Sequence, residues 1–303
     1  MDLKSKIILI YGPTASGKSQ FAIKLAKKIN GEIINADSMQ VYKQLKILSA
    51  RPSQKECQNI KHHLYGFQSV KGNFSTGDWL KLVNKKILEL KKRKKVPIVV
   101  GGTGLYFKAL TNGLVNIPNI PLRLRNKVRI LHKTLGSSKF YSSLLKLDPS
   151  VRNKLKVSDT QRVIRAYEIK LFTKKSIFQW FKNTQSSFSE NNFYKILLYI
   201  PKDKLLTKIR LRIDKMIKLG VIAEVKKLTM MNLHKDKMIN KALGVEEIKQ
   251  YLKKEIKKKR LIENISIKTR QYAKRQKTWA RGQFKDWNEI KVDEIDNFLQ
   301  KII

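Results

Sequence analysis

Ile7-Ile8-Leu9-Ile10-Tyr11-Gly12-Pro13-Thr14-Ala15-Ser16-Gly17-Lys18-Ser19 is the stretch whose reading decides the fold. Ile7 to Tyr11 is a short apolar, β-prone run of the kind that forms a buried strand. Gly12 to Ser19 fits G-x-x-x-x-G-K-[ST], and from Lys18 to Ile29 the apolar residues Phe21, Ala22, Leu25, Ala26 and Ile29 recur at helical spacing. A strand, this loop and a helix in direct succession are the context that separates a phosphate loop from a chance match. In such a loop the backbone amides and the helix N-terminus point at a polyphosphate, Lys18 supplies a point charge, and the Ser19 hydroxyl can ligate Mg²⁺. Gly31 is read as the residue that closes the helix.

Outward from this unit the pattern continues as short apolar runs alternating with helical ones. Glu32 to Asn35 reads as a strand, Leu80 to Lys92 as an amphipathic helix, Pro97 to Val100 as a strand running into Gly101-Gly102, and Gly104 to Leu114 as a further helix. This order predicts a parallel sheet with crossover helices. Pro118 and Pro121 then break the pattern. From Pro121 to Asn192 no run has the character of a buried strand, so 119–192 is expected to be an inserted, basic, all-helical domain. Phe193 to Ile200 (FYKILLYI) returns as a strand, which assigns 1–118 and 193–303 to one core. Lys204 to Leu219 places Leu205, Ile209, Ile213, Met216 and Ile217 on one helix face, closed by Gly220. The remainder to Ile303 reads as helical, with its densest basic run from Ile256 to Arg281. The fold class expected is α/β: a P-loop NTPase-like parallel sheet with an inserted helical domain.

The 303 residues include 66 Lys+Arg against 23 Asp+Glu, a formal net charge of +43. Nucleic acid is the usual partner of such a surface, although lysine spread evenly among many Ile and Asn is also what a biased genome composition produces. The apolar runs are a few residues each, far short of the ~20 that span a bilayer, so no membrane association is expected. The N-terminal apolar run leads into a glycine loop and not a cleavage site, and the single Cys57 can form no internal disulfide; both fit a protein of the reducing cytoplasm. His62 and His63 are adjacent and lack companion ligands for a metal, so they are read as structural.

A P-loop ATPase usually carries an apolar strand that ends in Asp, whereas Ile98-Val99-Val100 ends in Gly101-Gly102-Thr103. The acid instead follows the earlier strand, as Asp37 within IINADSMQ. Carboxyl ends of neighbouring strands converge on one crevice, so Asp37 is expected to reach the site of Lys18. From spacing alone it is equally a ligand to metal-bound water, a general base, or the N-cap of a following helix.

Six blocks in order, GPTASGKS (12–19), NADSMQVY (35–42), HHL (62–64), VGGTGLYFKAL (100–110), DTQRVIRAYE (159–168) and TRQYAKRQKTW (269–279), resemble the tRNA dimethylallyltransferase, or tRNA isopentenyltransferase, family. The resemblance implies transfer of a dimethylallyl group from its diphosphate to N6 of the adenosine just 3′ of the anticodon, adenosine 37. It implies that Gly12, Pro13, Thr14, Ala15, Ser16, Gly17, Lys18 and Ser19 hold the diphosphate, that Ser19 carries Mg²⁺, and that Asp37 is the general base. It also implies that Thr14 and an arginine act on the leaving group. Arg212 lies roughly 60° from the apolar stripe of its helix and Arg210 roughly 100°, which favours Arg212. Where the family has a second arginine one turn earlier, this chain has Lys208, which keeps the charge and loses the bidentate fork.

By the same resemblance Ser38, Met39 and Gln40 meet the flipped base and its neighbours, Thr103 and Arg125 make further contacts to tRNA, and the segment Gln161, Arg162, Val163, Ile164 and Arg165 meets the anticodon stem-loop. A monomer is expected. Lys274, Arg275 and Arg281 are open to contact with tRNA, and Tyr272 and Trp279 to either core or stacking roles. Two rival readings share the phosphate loop: an adenylate isopentenyltransferase acting on free nucleotide, and a P-loop small-molecule kinase. A third is an RNA-binding protein without catalysis.

Overall fold

The computed structural model describes residues 3–181, 184–234 and 237–302. Strands β1 (Ile7–Tyr11), β2 (Gly31–Asn35), β3 (His62–His63), β4 (Val96–Gly101), β5 (Phe193–Tyr199) and β6 (Asn288–Lys291) form one sheet in the order β3-β2-β4-β1-β5-β6, with every neighbouring pair parallel. The helices among the described residues are α1 (Lys18–Ile29), α2 (Gln54–Cys57), α3 (Thr76–Lys92), α4 (Gly104–Asn112), α5 (Leu122–Leu147), α6 (Thr160–Thr173), α7 (Ile177–Phe181), α8 (Lys202–Lys218), α9 (Val221–Met230), α10 (Val245–Leu252), α11 (Lys258–Gln283) and α12 (Ile295–Gln300). None of them is long and apolar enough to cross a membrane.

The chain divides into two compact units, Met1–Thr111 with Ser187–Ile303, and Asn112–Ser186. In the first, β1 is buried on both faces, which is why it reads as an unbroken apolar run. Ile8 and Ile10 pack with Phe21, Leu25 and Ile29 of α1, while Ile7, Leu9 and Tyr11 pack with Trp79, Val83 and Ile87 of α3 and Phe107 of α4. A further apolar cluster joins α8 to α11 with Val41, Leu45 and Leu48, the segment that follows β2. In the second unit Val128, Phe140, Leu144, Val163, Ala166 and Ile169 form a separate core. Its long helix α5 breaks at Gly136, whose backbone is left-handed in φ (71°) and extended in ψ (170°).

Four sequence expectations differ from this structure. The left-handed residue that ends α1 is Asn30 (φ 55°), and Gly31 is the first residue of β2, where a Cβ would come within 2.6 Å of Ile98 Cδ1. Gly31 therefore belongs to the strand and is not the residue that ends the helix. The helix expected from Leu80 begins at Thr76, because Ser75 and Asp78 form a reciprocal capping box. The C-terminal region is not wholly helical: Asn288–Lys291 is the edge strand β6, and its one buried residue, Ile290, leaves too little periodicity to register. The inserted unit runs from Asn112 to Ser186, against the expected 119–192, since Gly113 (φ 85°) already lies against the Gln185 backbone, 2.2 Å from where a Cβ would project.

Candidate active site

Three segments meet at the carboxyl ends of the central strands: the phosphate loop after β1, the Asp37 segment after β2, and Gly101-Gly102-Thr103 at the end of β4. The last two are in backbone contact. Ala36 N–H donates to the Val100 carbonyl at 2.8 Å and Thr103 N–H to the Ala36 carbonyl at 3.2 Å. A Cβ on Gly101 would stand 2.0 Å from Ala36 O, so only glycine permits this approach.

Within the loop, Ala15 (φ 62°) and Gly17 (φ 88°) take left-handed conformations that turn the backbone into α1. Lys18 Nζ donates to the Pro13 carbonyl at 3.2 Å. Arg212, on α8, donates from Nη1 to Thr14 Oγ1 at 2.8 Å and from Nη2 to the Ser49 carbonyl at 3.3 Å. Lys208, one turn before it, has its ammonium 3.4 Å from the point where a Cβ would project from Gly17. Arg210 leaves this cluster and lines a surface groove of 610 Å³ with Leu206, Lys259, Glu263 and Arg270. Lys18, Arg212 and Lys208 thus bring cationic groups to a loop of amides, an arrangement built for a polyphosphate.

Asp37 lies two residues beyond β2. Its Oδ1 accepts the Met39 N–H at 2.9 Å, while Asn35 accepts the Asp37 N–H at 2.9 Å and donates to the carbonyls of Asp37 and Leu64, each at 3.0 Å. No helix begins at Asp37; its carboxylate closes an Asx turn, which removes the N-cap reading. Ser38 N–H donates to Thr103 Oγ1 at 2.9 Å, so these two residues expected to contact tRNA adjoin one another. Gln40 Nε2 donates to the carbonyls of Ser49 and Ala50, at 2.9 and 3.1 Å. Met39 is half-buried against the α8 to α11 cluster.

Burial, opposed by the Asp37 carboxylate and reinforced by Arg212, pushes the Lys18 ammonium down to about 8. Burial also lowers the Arg212 guanidinium, again with Asp37 opposing. The phenols of Tyr65, Tyr106 and Tyr272 are raised, chiefly by burial and further by the Asp37 charge, Tyr272 to about 12. Asp37 therefore shares one electrostatic environment with Lys18 and Arg212.

Sequence reading missed Gln276 of α11, only 6% exposed. Its Oε1 accepts the Thr14 N–H at 2.8 Å and its Nε2 donates to the Gly102 carbonyl at 2.7 Å, tying two site loops to one side chain. The available signal was its place in TRQYAKRQKTW. In the same helix Trp279 is a packing residue, seated where Gly104 has no Cβ, with Cζ3 2.1 Å from that missing atom. Lys274, Arg275 and Arg281 are exposed.

In the inserted unit, Gln161 and Arg162 are exposed at the start of α6 and Ile164 is half-buried. Val163 is 2% exposed within that unit's core, so its side chain is not available to a nucleic acid, contrary to its inclusion among the contact residues. Arg165 lies 3.1 Å from the buried carboxylate of Glu168, which Arg125 and Arg129 also approach, at 3.8 and 3.9 Å.

The IPP transferase family model matches residues 40–283. The chain is 55% identical over 302 residues to the tRNA dimethylallyltransferase of Pelagibacter ubique strain HTCC1062, covering 100% of this chain and 96% of that one. It is 41% identical over 300 residues to that of Rickettsia massiliae strain Mtu5, covering 99% and 83%. Among solved structures it is similar to the tRNA isopentenylpyrophosphate transferase of Bacillus halodurans (TM-score 0.70, 30% identity, 98% of this chain and 95% of that one). It is also similar to a eukaryotic dimethylallyltransferase acting on tRNA (TM-score 0.81, 28% identity, 95% and 74%). Its parallel α/β core and helical insert, its phosphate loop and these matches agree: the chain belongs to the IPP transferase family.

Proposed function

We propose that this chain transfers a dimethylallyl group from dimethylallyl diphosphate to N6 of adenosine 37, next to the anticodon of tRNA. The observation that carries the reading is the meeting of Asp37 with the Lys18 and Arg212 cations at the phosphate loop, in a chain alike over its whole length to tRNA dimethylallyltransferases. N6 of adenosine attacks C1 of the allylic group, the C1–O bond breaks, and the electron pair leaves with the diphosphate. Asp37 takes the N6 proton that the new C–N bond makes acidic. Charge on the departing diphosphate falls on Lys18, Arg212, Lys208, the Thr14 hydroxyl and the N–H groups of Gly17, Lys18 and Ser19 at the start of α1, all in place before the bond breaks.

The donor set suits Mg²⁺: the Ser19 hydroxyl and diphosphate oxygens are hard oxygen ligands. Ser19 would hold the ion, which supplies further neutralisation of the leaving group. Ser38, Met39 and Gln40 hold the flipped base, Thr103 and Arg125 make further contacts to tRNA, and Gln161, Arg162, Ile164 and Arg165 meet the anticodon stem-loop. The protein works as a cytoplasmic monomer in this reading.

Mass spectrometry of nucleosides from unmodified tRNA incubated with protein, Mg²⁺ and dimethylallyl diphosphate tests it. N6-dimethylallyl adenosine is expected with the wild type and not with Asp37→Ala. Prenylated AMP in place of prenylated tRNA, or ATP turnover, would replace this reading with one of its rivals.

A further inference from the structure

Glu224, in the first turn of α9, touches none of the groups assigned to catalysis or base binding, yet its carboxylate accepts three backbone N–H groups. Oε2 accepts the N–H groups of Lys46 and Ile47 and Oε1 that of Leu48, each at 2.8 Å. Three successive amides turned onto one anion define the backbone of 46–48, as in the nests that successive N–H groups form around anions. The side chains beside them, Leu45 and Leu48, are buried against Val221, Val225 and Leu228. α9 and this loop are therefore joined by apolar packing as well as by the Glu224 hydrogen bonds.

What the loop presents next is a pair of carbonyls. That of Ser49 accepts from both Arg212 Nη2 and Gln40 Nε2, and that of Ala50 accepts a second bond from Gln40 Nε2. Arg212 reaches Thr14 with its other nitrogen. One loop thereby orients the clamp on the leaving group and a residue of the base pocket, and one carboxylate shapes that loop.

We propose that Glu224 is a positioning residue for both substrates: it fixes the Ser49 and Ala50 carbonyls so that Arg212 faces the diphosphate and Gln40 the target base. The Gln40 half rests on the function proposed above; the Arg212 half needs only that the loop binds a polyphosphate. A carboxylate suits the task because both its oxygens accept. Glu224→Gln keeps the shape but replaces one acceptor by an NH₂ that opposes the amide N–H groups.

The test is a double-mutant cycle on the full chain, with inorganic pyrophosphate as probe in calorimetry and tRNA prenylation as the second readout. Glu224→Gln is expected to weaken pyrophosphate about tenfold, and to cost nothing further in an Arg212→Ala background, because contacts acting through one another are not additive. In prenylation it is expected to raise KM for tRNA, again without further effect in Gln40→Ala. A merely structural role would lower the active fraction while leaving both affinities and all KM values alone. Undiminished pyrophosphate affinity, or a tenfold loss that persists in Arg212→Ala, would overturn the proposal. If Glu224→Gln does not fold, Glu224→Asp, which retains both acceptors on a shorter stem, carries the same cycle. Coupled loss of pyrophosphate binding in a protein that prenylates no tRNA would sink the proposed function and the Gln40 half, and leave the Arg212 half standing.

Discussion

Lys18 sits among groups that disagree about its proton: burial and Arg212 favour the neutral amine and Asp37 the ammonium, with a balance near 8. The unfolded chain holds that proton to about 10.4, so between these values the unfolded state binds more protons and stability rises with pH. Ligand binding runs the other way. A diphosphate binds the ammonium and raises its pKa, so the contribution of Lys18 to pyrophosphate affinity is fullest below pH 8 and falls as pH climbs through about 8, by roughly tenfold per unit until the pKa of the complex is reached. Calorimetric titration from pH 7 to 10 checks this, and Lys18→Arg is expected to flatten the profile. At Asp37, the isosteric Asn keeps an oxygen for the Met39 N–H but accepts no proton. Asp37→Asn is expected to lower kcat about 10²- to 10⁴-fold with little change in KM for dimethylallyl diphosphate, as steady-state kinetics would show.

Two junctions between elements carry the site's precision, and each yields a stability prediction. Where β4 ends against the Asp37 segment, Gly101→Ala forces a Cβ to 2.0 Å from a backbone oxygen that cannot swing aside. The loss is expected to be about 3 kcal/mol or more in urea unfolding. Gly282→Ala, near the end of α11 with nothing within 4 Å of the new atom, is expected to be neutral or to gain about 0.5 kcal/mol. Gln276 joins α11 to the phosphate loop and to Gly102. Gln276→Leu keeps the bulk and leaves the Thr14 N–H and the Gly102 carbonyl unpaired, an expected cost of about 2 kcal/mol with weaker pyrophosphate binding.

At the scale of the whole molecule the net charge of +43 makes tRNA affinity a counterion-release problem. Binding is expected to weaken steeply with salt, and Arg162→Ala with Arg165→Ala to lower the log–log slope by about one for each phosphate no longer neutralised. A flat response in filter binding from 50 to 300 mM salt, a range chosen at roughly physiological strength, would refute it. The phosphate loop, strands β1, β2 and β4 and helices α1 and α3 were legible in the residues, because each rests on short-range patterning: an apolar run, a glycine spacing, a helical stripe. The inserted lobe was legible from the interruption of that alternation. Beyond this reach lay β6, which offers one buried side chain, and the burial of Val163, which depends on what α5 packs against it. So did the placement of β4 between β1 and β2, which puts Asp37 in the field of Lys18. Gln276 on the loop 262 residues before it, and Arg212 on Thr14 across 198, are equally products of tertiary packing. Local sequence determined which groups could do phosphate and proton chemistry, since that is a matter of residue type and near-neighbour geometry. Only the folded chain decided which of them share one low-dielectric space, because charge coupling and hydrogen bonding depend on distance in space and not along the chain.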